Sequence, residues 1–248
     1  MYPVLATLAA APGLALGSFL TVVAARLPVR QSILRPASAC SACSSPIAWY
    51  DNVPVVSYAL LRGRCRSCGA GISLRYPLVE ATTALLVAGS LLVYGATATA
   101  VLAALFCAVL VAVSVIDLEH RIIPNLIVLP AAAGVLVCRT VLDPSPVWTV
   151  AALGAAGFFL VAILAYPGGM GMGDVKLALL LGAMLGRTVP IALMIGMFAA
   201  LVPSLVLLAR HGSAARKMAL PFGPFLALGG VVALFAGERL LGAYLGAL

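Results

Sequence analysis

Charge is scarce in this sequence. Seven of its 248 residues are Asp or Glu and fifteen are Lys or Arg, against 64% hydrophobic residues and a mean hydropathy of +1.18. A soluble surface needs roughly 25–35% charged residues, and at 9% this chain cannot supply one. An integral membrane protein is what remains. Segments of about ten alternating apolar and polar residues are also lacking, which excludes a transmembrane β-barrel. There is no internal repeat and no acid in the middle of an apolar run, which argues against a transporter or channel. No basic residue precedes the first apolar run, so that run is expected to be a retained anchor rather than a cleaved signal.

What is present is a series of apolar runs long enough for a bilayer core of about 30 Å. Eight are read, at roughly 2–25, 77–95, 99–117, 122–139, 148–166, 174–187, 189–209 and 219–237, the sixth short and glycine-rich. The expected fold is an all-α polytopic membrane bundle of about eight transmembrane helices. With the first running outside to inside, Arg26, Arg30, Arg35, Arg62, Arg64, Arg66, Arg75, Arg121, Lys176, Arg210, Arg216 and Lys217 fall on the cytoplasmic side. Only Arg139, Arg187 and Arg239 fall on the other. This asymmetry sets both termini outside. The net charge of +8 then marks topology and affinity for anionic lipid, with no need for a nucleic-acid partner.

Two aspartates stand at the ends of these runs, Asp117 in SVIDLEHRIIPN and Asp174 in PGGMGMGDVKLALL. A carboxylate in a span costs roughly 2.5–3.5 kcal/mol, so a chain that keeps two is expected to use them. The topology puts both at the inner membrane face, at one depth. Two carboxyl groups sharing a proton form an aspartyl protease site, one activating water while the other polarises the scissile carbonyl. Glycines 168, 169, 171 and 173 remove side chains before Asp174, so that an unwound substrate segment can approach the backbone. Gly171, Gly173 and Lys176 are taken as supporting residues. Pro124 allows a kink or a helix start just past the first acid. The plainer readings are a solvated Asp117 in a turn with Glu119, His120 and Arg121, and an Asp174 that caps the sixth helix. A structural assembly protein would tolerate loss of either acid.

Between the first two runs, Cys40 and Cys43 form one C-x-x-C and Cys65 and Cys68 another, 21 residues apart. That spacing fits a four-thiolate structural zinc site. Two disulfides are the alternative, disfavoured in a reducing cytoplasm. Cys107 and Cys138 lie within apolar runs and read as buried side chains. Trp49, Tyr50, Asp51 and Asn52, between the cysteine pairs, read either as interfacial anchors or as part of a small-molecule site.

GSFLTVVAARLP (17–28), the paired C-x-x-C motifs, WYDNVP (49–54), LRGRC (61–65), RYPLVE (75–80), IDLEHRIIPN, GMGDVKLAL and PFGPFLALG follow one another over nearly the whole chain. In that order they resemble the prepilin peptidases, aspartic enzymes of the GxGD class. The resemblance implies that Asp117 and Asp174 are the catalytic pair. It implies type IV prepilins and type II secretion pseudopilins as substrates, their short basic leader cut on the cytoplasmic side after a glycine. It also implies N-methylation of the new terminus with S-adenosylmethionine, supported by the cysteine loop and by Gly63, Arg64 and Glu80. Thr21 and Ser41 stand where the family usually has asparagine and proline. A presenilin-like or signal-peptide-peptidase-like enzyme shares the chemistry, but its first acid follows tyrosine, whereas Asp117 follows Ile116. Three parts are expected: an anchor at 1–25, a cysteine-rich cytoplasmic loop domain at 26–76 and a helical peptidase core at 77–248, in a bacterial inner membrane.

Overall fold

The computed structural model describes residues 2–166, 170–212 and 220–246. Gly168, Gly169, Arg216 and Lys217 lie outside the described residues. Among those described there are helices and turns, with two isolated β-bridges and no strand. The long helices are α1 (Tyr2–Arg26), α3 (Arg75–Tyr94), α4 (Ala98–His120), α5 (Asn125–Leu142), α6 (Val147–Ala165), α7 (Met172–Leu185), α8 (Val189–His211) and α9 (Gly223–Gly246). A short α2 (Val56–Leu60) lies in the loop between α1 and α3.

Among the described residues seven stretches are long and apolar enough to cross a membrane, one of them the 40 residues of Met172–His211. At 1.5 Å per residue that stretch would be about 60 Å, twice a bilayer core. It is two helices, α7 and α8, divided by the 3₁₀ turn Gly186–Thr188 where Gly186 takes φ +55°. Among the described residues each of the eight expected runs corresponds to a helix. The helices run past the ends of the approximate apolar runs at two places. α4 continues to His120, which places Asp117 inside the helix, and α9 runs through Glu238 and Arg239 to Gly246. Charged residues end an apolar window, but they do not break a helix.

The chain divides into two compact units, Met1–Ala112 and Val113–Leu248, with the boundary inside α4. In the first unit α1 lies against α3 across Gly13 and Gly17. A Cβ at Gly13 would stand 2.8 Å from the Ala84 Cα, and one at Gly17 2.6 Å from the Glu80 Cα. This is small-xxx-small packing, in which missing side chains let two backbones meet within a membrane.

In the second unit α7 is the central helix. Although it has only 14 residues, ten are buried, and it touches α5, α6, α8 and α9. Gly182 is packed so closely on the Ala151 and Ala152 backbone of α6 that a Cβ has no room. α5 begins just after Pro124, whose missing N–H costs nothing at a helix start.

Candidate active site and metal centre

Asp117 sits in the last turn of α4 and Asp174 in the first turn of α7; they are 5% and 8% exposed. Each carboxylate is held by a backbone N–H at a helix start. Gly223, the first residue of α9, donates to Asp117 Oδ2 at 2.9 Å, and Gly171, the residue before α7, donates to Asp174 Oδ2 at 3.3 Å. Helix N-termini carry unsatisfied N–H groups and a partial positive charge, so they suit a carboxylate without supplying a formal cation. Among the described residues no lysine or arginine pairs with either acid. The two carboxyl groups are close enough for the charge of one to act on the other. The cap expected of an aspartate at the head of α7 is thus present, and so is a second acid beside it.

The supporting residues position α7. A Cβ at Gly173 would stand 2.8 Å from the Ile123 Cβ, so this glycine seats the start of α7 on the segment between α4 and α5. Lys176 does not reach an acid: its Nζ donates to Asn125 Oδ1 at 2.7 Å, tying α7 to the first residue of α5. Glu119 and His120 are exposed, with 4.0 Å between Oε2 and Nε2.

Gly223 is the residue that sequence reasoning missed. A Cβ there would meet Asp117 Oδ2 at 2.8 Å and Cγ at 3.2 Å, so the position admits only glycine unless the carboxylate shifts. Its neighbour Phe222 packs edge-on against Phe159 at 5.9 Å, which fixes the approach to α9. A signal was available in PFGP, because a glycine followed by proline marks a helix start with a free N–H.

All six cysteines are free thiols. The Sγ atoms of Cys40, Cys43, Cys65 and Cys68 lie within 4.8 Å of one another, and Cys40 and Cys68 are 3.8 Å apart. Tetrahedral ligands about 2.3 Å from zinc are about 3.8 Å from each other, so the cluster fits a four-thiolate metal and not two disulfides. The two knuckles are near copies. The N–H groups of Cys40 and Ser44 donate to Ser45 and Cys40 carbonyls, and those of Cys65 and Gly69 donate to Ala70 and Cys65 carbonyls. Ser44 and Gly69 both take positive φ, 56° and 73°.

The backbone N–H groups of Cys43 and Ala42, with the Cys65 thiol, lower Cys40 to about 6. Ala70 N–H acts to lower Cys68, but the sulfurs of Cys43, Cys65 and Cys40 and the desolvation of the thiol among them outweigh it and push it up to about 11. Four adjacent thiolates repel unless a cation sits among them.

The loop is pinned beside this cluster by Arg66, which grips Asp51 through Nε and Nη2 at 2.7 and 2.6 Å and lies over the Tyr50 ring at 5.6 Å. Trp49, edge-on to Tyr50, is 83% exposed. Gly63, at φ +67°, leaves no room for a Cβ beside Tyr58 Oη, 2.7 Å away, and Arg64 bridges to Gly71. Glu80 is buried in α3 and accepts the Val55 N–H at 2.8 Å, with Ser18 as a second partner. Glu80 and Gly63 are linked in series: Glu80 holds Val55 at the head of α2, α2 carries Tyr58, and Tyr58 covers Gly63.

Residues 12–94 match the profile of the bacterial peptidase A24 N-terminal domain, and residues 104–205 that of the type IV leader peptidase family. The chain is similar to the prepilin leader peptidase/N-methyltransferase of Pseudomonas putida, 35% identical with 94% of this chain and 91% of the relative covered. That of Bacillus subtilis strain 168 is 33% identical over 94% and 95%, and that of Burkholderia pseudomallei strain 1026b 36% over 91% and 83%. No solved structure matches the chain.

Proposed function

The chain belongs to the type IV leader peptidase family, and from that membership we propose that it is a multi-pass bacterial inner-membrane aspartic endopeptidase. It removes the basic leader of type IV prepilins or pseudopilins at the cytoplasmic face and N-methylates the exposed terminus. Asp117 and Asp174 are its catalytic pair. Both termini lie outside, and the segment 26–76 faces the cytoplasm as a module of its own ahead of the helical core.

The observation that carries this reading is the pair of acids, each bonded by an N–H from a different helix start and within the other's field. With one proton between them, the ionised carboxylate takes a proton from water as the oxygen attacks the scissile carbonyl. The protonated partner hydrogen-bonds the carbonyl oxygen as it gains charge, and a proton passes to the leaving amine when the C–N bond breaks. Gly223 and Gly171 keep the carboxyl groups oriented without neutralising them. Gly173 and Lys176 hold α7 in register with α4 and α5.

The four thiolates of Cys40, Cys43, Cys65 and Cys68 would hold a structural zinc and, taking all four positions, would leave none open for chemistry. S-adenosylmethionine supplies the methyl group of the second step. Gly63, Arg64 and Glu80 support that step by fixing the loop against α3.

The test is a mass measurement on a purified prepilin incubated with the detergent-solubilised protein, with and without S-adenosylmethionine. Loss of the leader, plus a methyl mass only when the donor is present, is the expected result. An intact prepilin, cut by a control peptidase in the same detergent, overturns the assignment.

A further inference from the structure

Away from the acids, α6 and α8 leave a groove of about 670 Å³. Its α6 wall is Val147, Val150, Gly154 and Phe158, and Leu193 and Met197 face them from α8. Gly154 gives the groove its depth, since a Cβ there would meet nothing within 4 Å. From Val147 to Phe158 the groove runs about 17 Å at 1.5 Å per residue, close to half of a 30 Å hydrocarbon core. A transmembrane peptide helix would need the full thickness. A lipid chain of one leaflet needs half.

The end near Val147 is cationic. Arg187 lines it, and no acidic group among the described residues pairs with that guanidinium. Beside it the Arg139 guanidinium lies 4.8 Å from the centre of the Trp148 ring, and that ring closes on Gly186. Trp148 Nε1 donates to the Asp143 backbone carbonyl at 3.0 Å, and Asp143 is exposed. An indole and arginines at one end of an apolar slot are the arrangement of a headgroup region.

The length of α7 strengthens the case. Its 14 residues span about 21 Å, so Asp174 at one end and Arg187 just past the other cannot both reach the surfaces of a 30 Å core. A cation held short of the surface is costly unless an anion meets it.

We propose that this groove binds one acyl chain of an anionic phospholipid, with the lipid phosphate on Arg187. The bound chain lies behind Ala151, against which Gly182 of α7 is packed, and so braces the helix that carries Asp174.

Native mass spectrometry of the delipidated full-length protein tests this, with phosphatidylglycerol and phosphatidylcholine of equal chain length as probes. Wild type should retain phosphatidylglycerol about fivefold better, the equivalent of one arginine–headgroup contact. Arg187→Gln should lose that preference while still taking phosphatidylcholine. Gly154→Trp should fill the groove and lose both lipids. Gly157→Trp, also in open space but outside the groove lining, should bind as wild type. Equal retention of the two lipids by wild type overturns the proposal without recourse to any variant, and so does undiminished binding by Gly154→Trp.

Discussion

The sulfur cluster of the first unit and the acid pair of the second are assembled by opposite means. Each cysteine knuckle closes on itself: Cys40 bonds with Ser44 and Ser45, and Cys65 with Gly69 and Ala70. Two such turns need only be brought face to face. Asp117, by contrast, takes its hydrogen bond from a residue 106 positions away, and Asp174 is held in place by Ile123 and Asn125 acting on its helix. Local bonding preforms each half of a four-cysteine cluster that could hold a metal ion. Remote bonding makes the acid pair dependent on the packing of four helices. Damage to one region should therefore spare the other.

The strongest test of that separation is replacement of an acid. Asp174→Asn should lower prepilin cleavage by at least about 10³-fold, as expected for groups that act as a unit, while zinc content measured by atomic absorption stays at wild-type level. Cys65→Ser with Cys68→Ser should do the reverse, abolishing bound zinc and damaging methylation while cleavage is largely spared; unchanged metal content would end the zinc assignment. Zinc binding to the apo protein at pH 7 should release protons to the buffer, because Cys68 stands near 11 without the metal.

A Gly223→Ala substitution should be milder, about 10²-fold in kcat, because the new methyl displaces Asp117 instead of deleting it. Methylation of a precleaved pilin should be unaffected by it. Lys176→Met removes only the tie to Asn125 and should cost about three- to tenfold in cleavage, roughly the loss of one hydrogen bond; Asn125→Ala should match it, and a double variant should be no worse.

The smallest effect concerns Asp51. The Arg66 guanidinium holds the Asp51 carboxyl below the usual carboxylate range. A folded-state value below the unfolded one means that the pin contributes fully above about pH 4 and is lost as pH falls through the folded value. Trp49 fluorescence in a Trp148→Phe background should be flat from pH 8 to 5 and change only at lower pH. In Asp51→Asn that acid transition should be missing.

The same contrast sets how much was legible in the sequence. Cys-x-x-Cys is a local pattern, and its spacing led directly to a cluster that fits a metal. Helix number was legible too, because hydrophobic run length is a local property; even the break between α7 and α8 is marked by Gly186. Remote partners were not. Nothing near Asp117 announces Gly223, and nothing near Lys176 announces Asn125, 51 positions away, to which its amine donates. Helix ends were less legible: α4 runs to His120 and α9 to Gly246, past the apolar runs read at roughly 99–117 and 219–237, since hydropathy reports the membrane and not the hydrogen-bond ladder.

The central claim is that Asp117 and Asp174 act as one unit. Cleavage rates of a purified prepilin by Asp117→Asn, Asp174→Asn and the double variant test it most directly. The account predicts that each single variant falls as low as the double, with all three still binding zinc. Substantial cleavage by either single variant, or losses that multiply in the double, would contradict it.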